Sequence, residues 1–140
     1  MKLSNLSLSM MGLLLMLSSL QTMAATKVSP ETVDGATTIS TAEAKRLFDQ
    51  GVAFLDVRSN RDWEAGRIPG ALHIELKKKL NEESMAELFA RDRPIVIYCN
   101  STGCTRSSKA SEKAVSWGYK KVYYYRLGFP DWKHHGYAIQ

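Results

Sequence analysis

The chain of 140 residues has little of what marks several protein classes. It has only 2 cysteines, too few for a small scaffold held together by disulfides. Its 9 glycines and 4 prolines follow no Gly-X-Y period, and a hydrophobic fraction of 44% is too high for a disordered chain. Outside the lysines at 77–79, the basic residues behind the net charge of +5 are scattered, whereas a nucleic-acid binder concentrates them. We therefore predict one globular domain with small anionic ligands and no nucleic-acid partner.

No apolar run is long enough for a typical membrane-spanning helix. The longest, within residues 10–20, is only about a dozen residues long, shorter than the ~20 that a span requires. Lys2 precedes this run, and the small residues of Gln-Thr-Met-Ala at 21–24 follow it. This layout predicts a cleaved signal peptide at 1–24, no stable membrane insertion after cleavage, and a periplasmic or secreted protein. Disulfides persist in such compartments.

The remainder alternates between strand and helix patterns. Residues 25–36 form a polar leader, and the domain is predicted over 37–140. Four short apolar or β-prone runs are predicted as strands, at 37–39, 52–57, 95–99 and 122–125. Helical patterns lie between them, the first opening with the capping-box spacing of Ser40 and Glu43. Because strands that are apolar throughout are buried on both faces, we predict a three-layer α/β fold with a twisted, mostly parallel sheet and helices on both faces.

The residues best suited to chemistry follow the strand at 95–99. Cys99 closes that strand, and ligands of open α/β sheets bind at the carboxyl ends of strands. A polar loop then leads into a helix near Arg106, whose N-terminal amides and dipole would favour a thiolate or a bound anion. Gly103 is expected to let the loop turn without a side chain in the way. The predicted binding residues are Asn100, Ser101, Thr102, Gly103, Cys104, Thr105 and Arg106.

Each cysteine also has other interpretations. Cys99 could be a small buried hydrophobic residue, as free cysteines often are. Cys104 lies five residues further on, inside the loop. It could be a resolving thiol that attacks an oxidised or sulfur-loaded Cys99, the partner of Cys99 in a structural or resting disulfide, or a free thiol lining the pocket. A disulfide requires the two Cα atoms to come within about 7 Å.

Several segments together resemble one family. Asp-Val-Arg at 56–58 and Asp-Trp-Glu-Ala-Gly-Arg-Ile-Pro-Gly-Ala at 62–71 resemble the rhodanese-homology signature. Tyr-Cys at 98–99 with Arg-Ser at 106–107 resembles its active-site segment, and residues 126–132 are similar to its C-terminal motif. The resemblance extends over about residues 37–139, nearly all of the chain after the predicted signal peptide.

This resemblance implies a five-stranded parallel sheet and a sulfurtransferase. In that family a cysteine thiolate takes the outer sulfur of a donor such as thiosulfate and passes it to cyanide or a thiol, without a metal or organic cofactor. The nucleophile would be Cys99. The expected partners are a small anionic sulfur donor and a thiol acceptor, with a periplasmic redox or sulfur-carrier protein as a further candidate. The chain departs from the family in its loop, because six residues separate Cys99 from Arg106 instead of the usual four. That departure leaves thiosulfate as donor, and the role of Arg106, open.

Most other polar candidates are predicted to be structural. The resemblance suggests that Asp56 and Arg58 tie down the next loop together with Asp62, and Arg67 lies either at the pocket mouth or in a surface salt bridge. His134 and His135 point about 100° apart if helical, with no further ligand set nearby, so no metal site is predicted. The lysines at 77–79 are expected to form a solvated face.

Two further functions remain open beside the sulfurtransferase. A thiol-disulfide or oxyanion redox enzyme would use Cys99 and Cys104 together. A non-catalytic module would bind sulfur or anions without turnover. A phosphatase is disfavoured, because phosphatase relatives place five residues between their Cys and Arg.

Overall fold

A computed structural model describes residues 25–140, and the predicted signal peptide at 1–24 lies outside the described residues. Five parallel strands form one sheet in the order β1-β5-β4-β2-β3. The strands are β1 (Ala36–Thr38), β2 (Ala53–Asp56), β3 (Leu72–His73), β4 (Ile95–Tyr98) and β5 (Val122–Tyr125). The helices are α1 (Thr41–Asp49), α2 (Asn60–Ala65), α3 (Glu82–Leu88), α4 (Arg106–Ser116) and α5 (Gly128–His134). No helix within residues 25–140 is long and apolar enough to cross a membrane.

Alternating side chains of the central strands pack into two separate hydrophobic cores, one on each face of the sheet. Ile95 and Ile97 of β4 pack with α3 and α4 on one face, and Val96 of β4 packs with α1 and α5 on the other. All four residues of β4 are buried, as its unbroken apolar run predicts. The predicted three-layer α/β architecture is confirmed.

The first helix begins where its capping pattern places it. The Ser40 hydroxyl accepts the backbone N–H of Glu43, and the Glu43 carboxylate accepts the backbone N–H of Ser40 at 2.8 Å. Hydrogen bonds from Ser40 lower the pKa of Glu43, the backbone N–H contributing most. Each of these two side chains thereby accepts a backbone N–H group that has no hydrogen-bond partner within the helix.

The polar leader is attached to the domain and borders the loop after β4. Ser29 is buried, its N–H donates to the Thr102 carbonyl at 2.6 Å, and its carbonyl accepts from the Arg126 guanidinium at 2.9 Å. The Tyr124 hydroxyl donates to the Pro30 carbonyl at 3.0 Å. Residues just before β1 therefore reach the same sheet edge as the predicted binding loop.

Candidate active site

Cys99 directly follows β4, at the carboxyl edge of the sheet. Neighbouring strands end in register there, Asp56 of β2 and Tyr125 of β5 both facing Tyr98 across the ladder. Cys99 is only 1% exposed, and its carbonyl accepts the N–H of Phe129 at 2.9 Å. The cysteine thus lies at the position predicted for it, beside the start of α5.

Cys99 and Cys104 are joined by a disulfide. Their Cα atoms are 6.4 Å apart, and the Cys104 N–H donates to the Ser101 carbonyl at 2.9 Å, which turns the loop back on itself. Of the three alternatives for Cys104, the structure contains the disulfide. The thiolate expected at Cys99 therefore belongs to the reduced protein.

A cavity of about 370 Å³ opens beside the half-buried Cys104. Four cations line it, each from a lysine or arginine, and no carboxylate does among the described residues. The lining residues are Lys27, Leu76, Lys77, Asn100, Gly103, Cys104, Thr105, Arg106 and Lys109. Charges of one sign around a concave site raise the local concentration of oppositely charged ligands. The positive charge of the cavity is therefore expected to attract anions to the Cys104 side of the disulfide.

The residues of the predicted binding loop line two different cavities. Ser101 and Thr102 line a separate cavity of about 280 Å³ next to α5. The Thr102 carbonyl also accepts a hydrogen bond from the Ser29 N–H of the leader. The other five predicted residues line the cationic cavity. The expectation for Gly103 is also corrected, because its φ is not positive and an added Cβ would meet nothing nearer than the Ser101 Oγ at 3.8 Å. Gly103 forms part of the cavity wall without being required for the turn.

The N-terminus of α4 faces this region with unused donors. Thr105 is the N-cap, but its side chain makes no capping hydrogen bond. Ser107, in the first turn, is fully buried, and its hydroxyl has no hydrogen-bond partner within residues 25–140. Because α4 has 11 residues, its N-terminal dipole adds positive potential to that of Arg106.

Asp56 and Arg58 form a buried ion pair near the site. The Arg58 guanidinium donates to the Asp56 carboxylate at 2.6–3.0 Å and to the Gly66 carbonyl at 2.6 Å. It also lies over the Phe129 ring, 4.5 Å from the centroid. These contacts join the end of β2 to Gly66, which follows α2, and to Phe129 of α5.

Asn100 connects this ion pair to Asp62. Its Oδ1 accepts from Arg58 at 3.5 Å, and its Nδ2 donates to the Asp62 carboxylate at 3.1 Å. The bond from Asn100 is the main reason that the pKa of Asp62 is lowered from its ordinary value. Asp62 therefore joins the network through Asn100 and not by direct contact with Arg58.

Arg67 and the two histidines lie outside the cationic cavity. The Arg67 guanidinium stacks on the Trp63 ring at 4.5 Å and donates to the Trp63 carbonyl at 3.3 Å. The His135 ring bonds the Asp131 carbonyl at 2.8 Å, and His134 lines the smaller cavity. No group of three or more His, Cys, Asp or Glu side chains suited to a metal ion occurs within the described part of the chain.

Three lysines of the cavity were not predicted as site residues. Lys109 lies three residues after Arg106, so both fall on one face of α4, and that spacing could have signalled it. Lys77 was assigned to a solvated face together with its neighbours; it is exposed, yet it lines the cavity. Lys27 comes from the leader, and no local pattern in the sequence connects it to the site.

Comparison with known proteins identifies the family. The model of the rhodanese-like domain matches residues 40–135. The chain belongs to the rhodanese-like family. The resemblance seen in the sequence motifs is thereby confirmed.

Relatives within the rhodanese-like family carry different names. The human thiosulfate:glutathione sulfurtransferase is 34% identical over 110 residues, covering 70% of this chain and 94% of that protein. The tRNA uridine(34) hydroxylase of Buchnera aphidicola is 33% identical over 93 residues, 63% of this chain, but the match spans only 28% of the hydroxylase. Among solved structures, a human single-domain sulfurtransferase superposes with a TM-score of 0.60 at 26% identity, covering 71% of this chain and 96% of that one.

Proposed function

We propose that this protein is a sulfurtransferase whose nucleophile is Cys99. The observation that carries the proposal is the position of this buried cysteine, directly after the central strand β4. Its disulfide partner, Cys104, lines a cavity that also has four cationic side chains. Relatives named as sulfurtransferases support the same chemistry. A suitable substrate for this site is a small anion with an electrophilic sulfur atom that a thiolate can attack.

The reaction proceeds in two half-reactions after the disulfide is reduced. The Cys99 thiolate attacks the outer sulfur of thiosulfate, the bond between the two donor sulfurs breaks, and sulfite leaves with the electron pair. Arg106 and the N-terminus of α4 stabilise the thiolate and the departing anion. An acceptor thiolate then attacks the outer sulfur of the Cys99 persulfide and regenerates the Cys99 thiolate.

The predicted signal peptide indicates where in the cell the proposed activity takes place. We place the activity in the periplasm or outside the cell, where the acceptor would be a small thiol or a redox or sulfur-carrier protein. An oxidising compartment also suits a chain whose two cysteines can form a disulfide.

The first test measures sulfur loading in a single turnover. Protein is reduced, freed of reductant and mixed with thiosulfate, and sulfite is quantified together with the intact mass of the protein. We expect one sulfite per molecule from the wild type and from Cys104→Ser, and one added sulfur atom on Cys104→Ser. Cys99→Ser is expected to release no sulfite and to gain no sulfur, because it lacks the attacking thiolate. The proposal is contradicted if Cys99→Ser takes up sulfur at the wild-type level. It is also contradicted if the wild type and Cys104→Ser both fail to take up sulfur from thiosulfate and from a small-molecule persulfide.

The second prediction concerns the cations of the cavity. Replacing Lys27 or Lys109 by Gln is expected to lower kcat/KM for thiosulfate roughly two- to fivefold each, the range of a partly screened surface charge. Lys79→Gln removes the same charge from the lysine run without touching the cavity, so it is the matched control. The difference should shrink as salt is added, because the Debye length falls. Equal losses in the control and the cavity variants would show that only net charge matters.

A further inference from the structure

The disulfide is a state that simple sulfur transfer does not require. The chain has only 2 cysteines, and both lie in this one loop. The loop backbone holds the two residues with their Cα atoms 6.4 Å apart, in a turn closed by the bond from the Cys104 N–H to Ser101. Sulfur–sulfur bonding between these residues is thus part of the folded geometry of the site.

The two cysteines of the bridge differ in their exposure to solvent. Cys104 is half-buried and lines the cationic cavity, whereas Cys99 is 1% exposed and is not among the cavity-lining residues. A thiolate that enters from the cavity therefore reaches the Cys104 sulfur first, and Cys99 becomes the leaving group. Attack on the Cys104 sulfur breaks the bond between the two cysteines, and the electron pair of that bond goes to the Cys99 sulfur. Reduction from outside is thus directed so that Cys99 is released as the thiolate.

We propose that Cys104 gives this protein a second activity, the reductive release of the bound sulfur as sulfide. The inference rests on the proposed function, because it begins from the Cys99 persulfide. The Cys104 thiolate attacks the Cys99 Sγ, the bond from that Sγ to the outer sulfur breaks, and hydrosulfide leaves with the electron pair. The outer sulfur gains two electrons, and the two cysteines lose them as they form the disulfide of the structure.

The cycle is completed by an external dithiol. One thiolate of the dithiol attacks the Cys104 sulfur from the cavity, which frees the Cys99 thiolate and leaves a mixed disulfide on Cys104. The second thiol of the reductant attacks this mixed disulfide, releases Cys104 and becomes oxidised itself. Two electrons and two protons pass to the protein, so one dithiol is consumed for each sulfide released. The physiological reductant would be a protein dithiol, and dithiothreitol serves in its place in solution.

The test follows the fate of the persulfide when no acceptor is present. Reduced protein, freed of reductant, receives one equivalent of thiosulfate, and samples are taken over time for intact mass and for free sulfide. In the wild type we expect the added sulfur to disappear as one equivalent of sulfide is released and the protein loses the mass of two hydrogens. In Cys104→Ser the added sulfur should persist about tenfold longer or more, with no disulfide formed. Cys104→Ala repeats the comparison without a hydroxyl at that position.

The outcomes separate this inference from the function on which it rests. If the Cys104 variants and the wild type all fail to load, both with thiosulfate and with a small-molecule persulfide, the sulfurtransferase proposal is refuted and this inference with it. If the variants load and the wild-type persulfide lasts as long as theirs, sulfur transfer stands and the role of Cys104 in sulfide release is refuted. Adding dithiothreitol to the spent wild type should restore loading by fresh thiosulfate. Sulfide release by the wild type without loss of two hydrogens also refutes the proposal, because the electrons would then come from another source.

Discussion

Replacing Arg58 by Met is expected to lower the free energy of unfolding by about 3–5 kcal/mol, the usual cost of leaving a buried charge without its partner. Asp56 is fully buried and Arg58 is 2% exposed, so water cannot replace the lost contacts. The variant also removes the donor to the Gly66 carbonyl and the cation above the Phe129 ring. The measurement is urea denaturation with the disulfide intact in every protein.

Two companion variants of Arg58→Met distinguish the unpaired charge from loss of an arginine in general. Arg61→Met changes an exposed arginine whose nearest carboxylate oxygen, on Asp62, is 3.8 Å away, and it should change stability by less than about 1 kcal/mol. Adding Asp56→Asn to Arg58→Met removes the uncompensated charge and should recover part of the loss. If Arg58→Met costs no more than Arg61→Met, the buried pair is not what stabilises this region.

Much of the fold is predictable because local and tertiary signals agree. The runs at 95–99 and 122–125 are apolar and β-prone, and each forms a buried or nearly buried strand within a residue of the predicted bounds. The capping box at Ser40 and Glu43 marks the start of α1 because both halves of that motif are local hydrogen bonds.

Elements with weak local signals were not predicted individually. The helix α2 has six residues and no buried one, so no apolar stripe marks it, and β3 has only two residues. The sequence motif at 62–71 indicates the family without indicating either element. Both depend on the contacts of their neighbours, as where the Ile74 N–H bonds the carbonyl of Asp56 just after β3.

The place of Cys99 in the fold was predictable from the sequence, but the residues that line the cavity beside Cys104 were only partly so. Cys99 is marked by chain position, because the carboxyl end of a central strand is where ligands bind. Thr102, which lines the smaller cavity, accepts the Ser29 N–H of the leader at its carbonyl, and no local pattern in the loop predicts this contact. The contribution of Lys27 likewise depends on how residues 25–36 pack, which no period or spacing encodes.

Replacing Gly128 by Ala is expected to disturb the candidate site more than any other glycine substitution near it. Gly128 begins α5 with φ +69°, a conformation that costs a residue with a Cβ about 1–2 kcal/mol. The added Cβ would overlap the Cys99 carbonyl oxygen and lie 2.9 Å from the Asn100 carbonyl oxygen. Such overpacking adds about 1–3 kcal/mol, so we expect a total loss of about 2–5 kcal/mol in urea denaturation.

The matched control for Gly128→Ala is Gly136→Ala, because the two glycines share a backbone conformation and differ in their surroundings. Gly136 has φ +70°, and an added Cβ would meet nothing within 4 Å. Its variant should show only the conformational cost and should load sulfur at the normal rate. In Gly128→Ala the backbone at Cys99 must shift, since the Cys99 carbonyl also accepts the Phe129 N–H at 2.9 Å. We therefore expect slower loading in a Cys104→Ser background for Gly128→Ala alone. Equal stability and equal loading of the two variants would mean that the close packing of α5 against Cys99 does not position this cysteine.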